Sequence, residues 1–431
     1  MRHSFVCALS LSVTASLIAC SSDDGVGGIA LPPDASMPDA MPAPDASDAA
    51  APDVADVEVP DTSDAALPRL APYERFPTVD YLGGALLTSM KVVTVTFASD
   101  SAQTITQLQT FGDTIGQTPW WTATTSEYCV MPKGSPCIGP ATSGGHVVLQ
   151  EAAPTNLVDT EDGNNSSLAA FIQDHVTSGL FPRPDDQTIF VLYFPSTTTI
   201  SFQGMKSCAN FGAYHFSTPI MPSGGSKAVE TAYAVEPRCG DMSYTTFAAS
   251  HELIEAATDA HPRLDNGYLM QDFGWLYFGG EVGDLCDLPW DFLSMNQSGF
   301  NVQRGWSNKS ARSGHDPCVP QAPGEVYFNV APQAGMQRAQ LAVGQSVTFD
   351  LEAYADGSTA DWKLSAEDVS DRTGGNKTLA FAFDKTSVHA GQTVKLTLKL
   401  TQQPAQGFAS YVIHSQSGAG HHWWGATVQM Q

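Results

Sequence analysis

Ser250-His251-Glu252-Leu253-Ile254-Glu255-Ala256-Ala257-Thr258-Asp259 is the stretch that decides how this chain folds and what chemistry it carries. Ala248 to Ala257 is rich in good helix formers. On a helix, residues four apart share a face. The His251 imidazole and the Glu255 carboxylate are therefore expected side by side, with Glu252 next to them.

Two such side chains on one face suit a metal ion. The spacing follows the logic of the His-Glu-x-x-His helix, in which two histidines bind zinc and the glutamate acts on water. Here Glu255 replaces the second histidine, and carboxylate oxygen is a legitimate zinc ligand. A catalytic zinc takes three protein ligands and keeps one open position. Glu281 lies 26 residues after Glu255, and His261 ten residues after His251. Glu281 is the favoured third ligand, since the turn glycine that accompanies the ten-residue spacing is absent. Asp284 is a further ligand or a partner of His251. Asp259 is read mainly as a helix-end residue, with a supporting role at the metal as the alternative. Glu252 is the expected general base. His215, Tyr268 and Tyr277 are candidates for stabilising an oxyanion or holding substrate.

Working outward, Lys91–Ala98 is β-branched and apolar and reads as a strand, as do Thr188–Phe194 and Glu230–Val235. Ala102–Ile115 reads as an amphipathic helix. Another helix begins after the capping residues Asn165-Ser166-Ser167, and Ser243 to about Ala260 forms a third. Strands alternating with helices indicate an α/β, zincin-like mixed α+β domain over residues 73–320. From 325 to 431 the pattern becomes strict alternation, as in Val347, Phe349 and Leu351 or Val394, Leu396, Leu398 and Leu400. That predicts an all-β, immunoglobulin-like sandwich with Trp423 and Trp424 half-buried in its last strand.

Residues 1–20 read as a secretory signal: a short basic start, an apolar run, and Leu17-Ile18-Ala19-Cys20. The last four resemble a bacterial lipobox, which implies a lipid on Cys20. Residues 21–72 follow as a disordered Asp/Ala/Pro linker. Between Ser21 and Pro68 it holds eleven acidic residues and no Lys or Arg. Such a segment buries too little apolar surface to order itself, and it spans roughly 40 Å as a flexible chain. It supplies much of the formal net charge of −25. Nothing is basic enough for nucleic acid. Cys129, Cys137, Cys208, Cys239, Cys286 and Cys318 remain, an even number in an exported chain, and sequence neighbours are expected to pair as disulfides.

At this point a family resemblance becomes specific. The helix Ser250 to Asp259, followed by Glu281-Val282-Gly283-Asp284-Leu285-Cys286, resembles the Exordium-like, phosphate-induced protein family of plants and bacteria. Cys208-Ala209-Asn210-Phe211-Gly212-Ala213-Tyr214-His215 and the strand Ala232-Tyr233-Ala234-Val235 are similar to it as well. The resemblance covers residues 90–320 and is dense from 205 to 290. It implies secretion, a zincin-like helix, and functional positions at His251, Glu252, Glu255, Glu281 and Asp284, with His215 less closely matched. It does not name a reaction.

The sequence therefore predicts a cell-envelope lipoprotein. Its chemistry is expected to be that of a zinc metallopeptidase acting on a peptide, protein or wall-derived substrate. Two alternatives stand beside it: a non-catalytic metal-containing protein that binds glycan or protein, and a zinc amidase acting on wall peptides. The acidic run Asp159 to Asn165 is read as a solvated turn rather than a calcium loop. No Gly-x-Ser-x-Gly elbow or phosphate-cradling glycine loop is present.

Overall fold

Thr188–Phe194 is a central strand because its seven residues are β-branched, aromatic or aliphatic, and all are buried. Lys91–Phe97 pairs parallel with it on one side and Val229–Pro237 on the other. Thr142–Leu149 extends the sheet beyond Lys91–Phe97. Tyr214–Ile220 closes the opposite edge, antiparallel to Val229–Pro237. The computed structural model describes residues 76–431 apart from 133, 161–164, 223, 225–226, 273–274, 276–279, 289–290, 293, 334, 337, 371–376, 406 and 419. The expected signal, Cys20, the linker and Tyr277 lie outside the described residues.

Strand alternation sends neighbouring side chains to opposite faces. Ile189, Val191 and Tyr193 join one core with Leu108 and Phe111 of the helix Ala102–Thr114. Leu253, Ile254 and Ala257 of the helix Met242–Thr258 complete that side. Phe190, Leu192 and Phe194 face the other core, with Leu168, Ile172 and Val176 of the helix Ser167–Thr177. Ser101 and Ser166 cap their helices by accepting from the backbone N–H three residues on. The edge strand Thr142–Leu149 carries no strong strand pattern. Its Gly144 lies so close to Lys91–Phe97 that a Cβ would sit 2.8 Å from Val93 Cγ2, and the pairing register shifts there.

After residue 325 two sheets stack as a β-sandwich. One has the order Phe328–Pro332, Ser346–Ala355, Thr393–Leu400, Leu379–Phe383, all antiparallel. The other runs Arg338–Leu341, Gly420–Met430, Phe408–Ser417, Trp362–Asp368, Ser387–Val388. The alternating residues seen in the sequence point inward: Val394, Leu396, Leu398 and Leu400 are all 0% exposed. Both tryptophans lie in the last strand; Trp423 is half-buried, as expected, whereas Trp424 is fully buried.

Residues 76–431 belong to one compact unit. Phe76 packs on Trp424 with ring centroids 4.7 Å apart, and Trp275 on Trp423 at 4.8 Å, so the core runs from the mixed sheet into the sandwich. The three disulfides join Cys129–Cys137, Cys208–Cys239 and Cys286–Cys318, the expected neighbours. Among the described residues no helix is long and apolar enough to cross a membrane.

The acidic run beginning at Asp159 corrects one expectation. Asp159 is buried, not solvated: its carboxylate accepts from Tyr214 and Tyr233 hydroxyls, from Ser166 and from the Thr160 backbone N–H. A carboxylate so well supplied with donors is a packing element beneath the sheet.

Candidate metal centre

The helix Met242–Thr258 starts at Asp241, whose side chain accepts from the Tyr244 backbone N–H. It packs against Val229–Pro237, Tyr214–Ile220 and Phe300–Gln303, and is buried without interruption from Thr245 to Thr258. His251, Glu252 and Glu255 are therefore only 3–4% exposed. Burying ionisable groups costs several kcal/mol each unless they are paired, hydrogen-bonded or bound to metal.

The expected i,i+4 contact is present: His251 Nε2 lies 3.0 Å from Glu255 Oε1. Its other nitrogen, Nδ1, stands 2.8 Å from Gln303 Oε1. Gln303 is itself fixed: its backbone N–H donates to Ser250 Oγ, and its amide donates to the Gly283 carbonyl. With that amide orientation, His251 donates from Nδ1 to Gln303, and Nε2 is the nitrogen that faces Glu255.

His215 reaches the same place from the edge strand. Its neighbours Tyr214 and Phe216 face the opposite core, so His215 faces the helix. Its Nε2 lies 3.0 Å from the Asp259 backbone carbonyl, an acceptor that places the proton on Nε2. Its Nδ1 lies 3.4 Å from both Glu255 Oε2 and Glu252 Oε2. Glu281 Oε1 approaches His215 Nε2 at 3.6 Å. Asp284 donates its backbone N–H to Glu255 Oε1 at 3.0 Å, and its Oδ1 stands 3.8 Å from His251 Nε2. Gly283 is what lets this segment come so close: a Cβ there would sit 2.9 Å from Glu255 Oε1 and 3.1 Å from His251 Nδ1.

Among the described residues the donor atoms form two groups, His215–Glu255–Glu281 and His251–Glu252–Glu255. The structure thus gathers His251, Glu252, Glu255, Glu281 and Asp284, and brings His215 in beside Glu255. Asp259 ends the helix, accepts from the Gly267 backbone N–H, and offers its carbonyl to His215. His261 lies outside both groups; burial lowers its basicity, and its charged neighbours are Glu230 and Asp186. Tyr268 is engaged elsewhere, its hydroxyl donating to the Cys129 carbonyl at 2.8 Å. Gln303, Glu236 and Asp287 were not anticipated. Glu236 is 1% exposed, and no hydrogen bond satisfies its Oε1 or Glu252 Oε2.

The electrostatics show carboxylate in excess. Burial disfavours both imidazolium ions, yet the surrounding carboxylates outweigh it and raise His215 and His251 well above the usual histidine range. Burial also pushes Glu255 up, but the two histidines hold it down at about 2. Burial, then Glu255, raises Asp284 to about 7 and Glu281 well above the carboxylate range. Without a cation the centre thus retains protons on groups that would otherwise be charged. Imidazole and carboxylate donors in these numbers suit zinc and its first-row neighbours.

No protein-family model matches the chain, and no curated protein matches it. Solved structures with similarity include the titin M3 domain, at 15% identity and a TM-score of 0.17, covering 25% of this chain and 96% of that one. A chimeric titin Z1Z2 has 13% identity and a TM-score of 0.16, covering 25% of this chain and 93% of that one. The sandwich assignment rests on its own strand pairing.

Proposed function

We propose that this protein is a zinc-dependent hydrolase of peptide bonds, exported and tethered at the cell envelope through a lipid on Cys20. One observation carries the metal: His215 and His251 each commit one nitrogen to a carbonyl oxygen and turn the other toward Glu255. That arrangement is how proteins fix the tautomer and orientation of metal-ligating histidines. Glu281 and Asp284 supply further oxygen donors. Bound here, zinc would lower the pKa of a water toward about 7 and polarise a substrate carbonyl. Glu252, with its unsatisfied Oε2, takes a proton from the water and returns one to the leaving amine. The resemblance to Exordium-like proteins supports a zincin-like reading of the helix. The sandwich, immunoglobulin-like in this reading, serves as a substrate-holding or envelope-binding module.

A second reading has its own support. His251, Glu252, Glu255, Glu281 and Asp284 are each 7% exposed or less, so little of the centre is open to a substrate, as suits a structural zinc site that keeps no open position. The protein would then be a non-catalytic surface binder of glycan or protein. The deciding experiment compares wild type with Glu252→Gln on a broad peptide library and on wall-peptide amides, with bound metal measured in both. Cleavage of peptides by wild type, reduced at least about 100-fold in Glu252→Gln with metal still present, is expected. Metal without cleavage of either substrate favours the second reading. Cleavage of wall-peptide amides alone makes the protein an amidase.

A further inference from the structure

We infer that this centre holds two divalent cations, with Glu255 bridging them. The inference rests on the metal reading above and deepens it.

The geometry of Glu255 is the first support. Its two oxygens serve different histidines: Oε1 lies 3.0 Å from His251 Nε2, and Oε2 lies 3.4 Å from His215 Nδ1. A carboxylate that binds one ion has no need of a separate imidazole on each oxygen. One that bridges two ions does.

The sorting of donors is the second. In each group, His215–Glu255–Glu281 and His251–Glu252–Glu255, the ligand atoms lie within 4.8 Å of one another, and Glu255 is the member common to both. Each group provides one imidazole and two carboxylates. One nitrogen of each imidazole faces a carbonyl oxygen, at Asp259 and Gln303; the other, His215 Nδ1 or His251 Nε2, faces Glu255, and Glu281 reaches His215 from its Nε2 side at 3.6 Å.

Charge balance is the third. Glu236, Glu252, Glu255, Asp259, Glu281, Asp284 and Asp287 are all buried, each 8% exposed or less. The buried arginines are engaged elsewhere: Arg263 with Asp159, and Arg304 with Asp316 and Glu325. Seven buried carboxyl groups stand against two imidazoles, so two divalent ions, with four positive charges, match the acid groups more closely than one. Buried charge without compensation is strongly disfavoured. Glu252 Oε2 and Glu236 Oε1 are buried there with no hydrogen bond. As a monodentate ligand, Glu252 keeps its second oxygen for a proton, so its assigned role survives. Ions in two-metal hydrolytic centres lie about 3.5–4 Å apart.

The test uses the exported chain with its disulfides intact, stripped by chelator and reloaded with Mn2+ or Zn2+. Ions per chain are counted by elemental analysis after excess metal is removed, and the Mn2+ form is examined by electron paramagnetic resonance. Two ions per chain with an exchange-coupled Mn2+ spectrum are expected. His251→Ala and His215→Ala should each plateau at one ion, with circular dichroism confirming that they fold. A wild-type plateau at one ion overturns the inference and leaves a single-metal hydrolase standing. Two ions with uncoupled spectra also overturn it, because the second is then remote from Glu255. No bound metal overturns both this inference and the proposed function.

Discussion

Asp368 in the sandwich and Glu255 in the mixed-sheet region are both buried carboxylates, yet they are treated in opposite ways. Asp368 accepts from Thr378 N and Oγ1, from Leu379 N, and from Ser370 N and Oγ, with every donor uncharged. Its neighbourhood is complete without any added group. Glu255 instead faces two histidines and is crowded by Glu252, Glu281 and Asp284. A carboxylate ringed by backbone and hydroxyl donors pins strands together, whereas carboxylates and imidazoles crowded on one another call for a cation. The contrast separates scaffold from chemistry without reference to sequence motifs.

The comparison is open to direct attack. The largest effect should come from Asp368→Ala, which strands several buried donors. A loss of about 3 kcal/mol in urea unfolding is expected, with metal content unchanged. If metal content also falls, the sandwich is not merely scaffold. Next comes Gln303→Ala, which removes the acceptor for His251 Nδ1 and the tie to Gly283. Metal affinity should fall about 10–100-fold in a competitive chelator titration, since supporting partners of ligating histidines are worth that much. An unchanged affinity would mean that Gln303 does not orient the ring. The smallest effect should come from Asp316, which is intermediate between the two regimes. Its Oδ1 accepts from Cys318 N, while its Oδ2 has no hydrogen bond and stands 3.7 Å from Arg304. Burial raises its carboxyl from 3.8 to about 7. Between those values the folded state holds a proton that the unfolded state releases, so stability falls as pH rises. Asp316→Asn should remove that component. The drop in Tm between pH 5 and pH 7.5, measured with chelator present, should be shallower by a few degrees than in wild type. An equal drop would place the titration elsewhere.

Much of this was legible in the chain. Period-2 alternation announced the sandwich strands, and Asn165-Ser166-Ser167 marked the start of a helix. His251 and Glu255 were readable because a helix makes a spacing of four into a contact. Glu281 and Asp284 were readable because they sit in a compact motif. His215 could be flagged but not assigned a place, since only the antiparallel edge strand aims it at the helix. Gln303 gave no signal: it lies 52 residues beyond His251, and its role depends on Phe300–Gln303 packing against the helix. Asp159 misled because acidity beside turn residues looks like solvent exposure, and its partners Tyr214 and Tyr233 are distant in sequence. The strand Thr142–Leu149 was hidden by Gly144, which lets it approach Lys91–Phe97 closely, and by Gly145, whose φ is +106°.

Cys286 stands two residues beyond Asp284 and five beyond Glu281, and its bond to Cys318 fastens that segment to the short strand Cys318–Val319. Two carboxylates of the centre thus sit on a segment whose covalent tie forms only on oxidation. The consequence is one of timing. While its thiols are reduced, the segment is held by non-covalent contacts alone, among them the hydrogen bonds from Gln303 to the Gly283 carbonyl and from the Asp284 N–H to Glu255, so Glu281 and Asp284 are placed less firmly. The firm arrangement of these carboxylates arrives only with the disulfide.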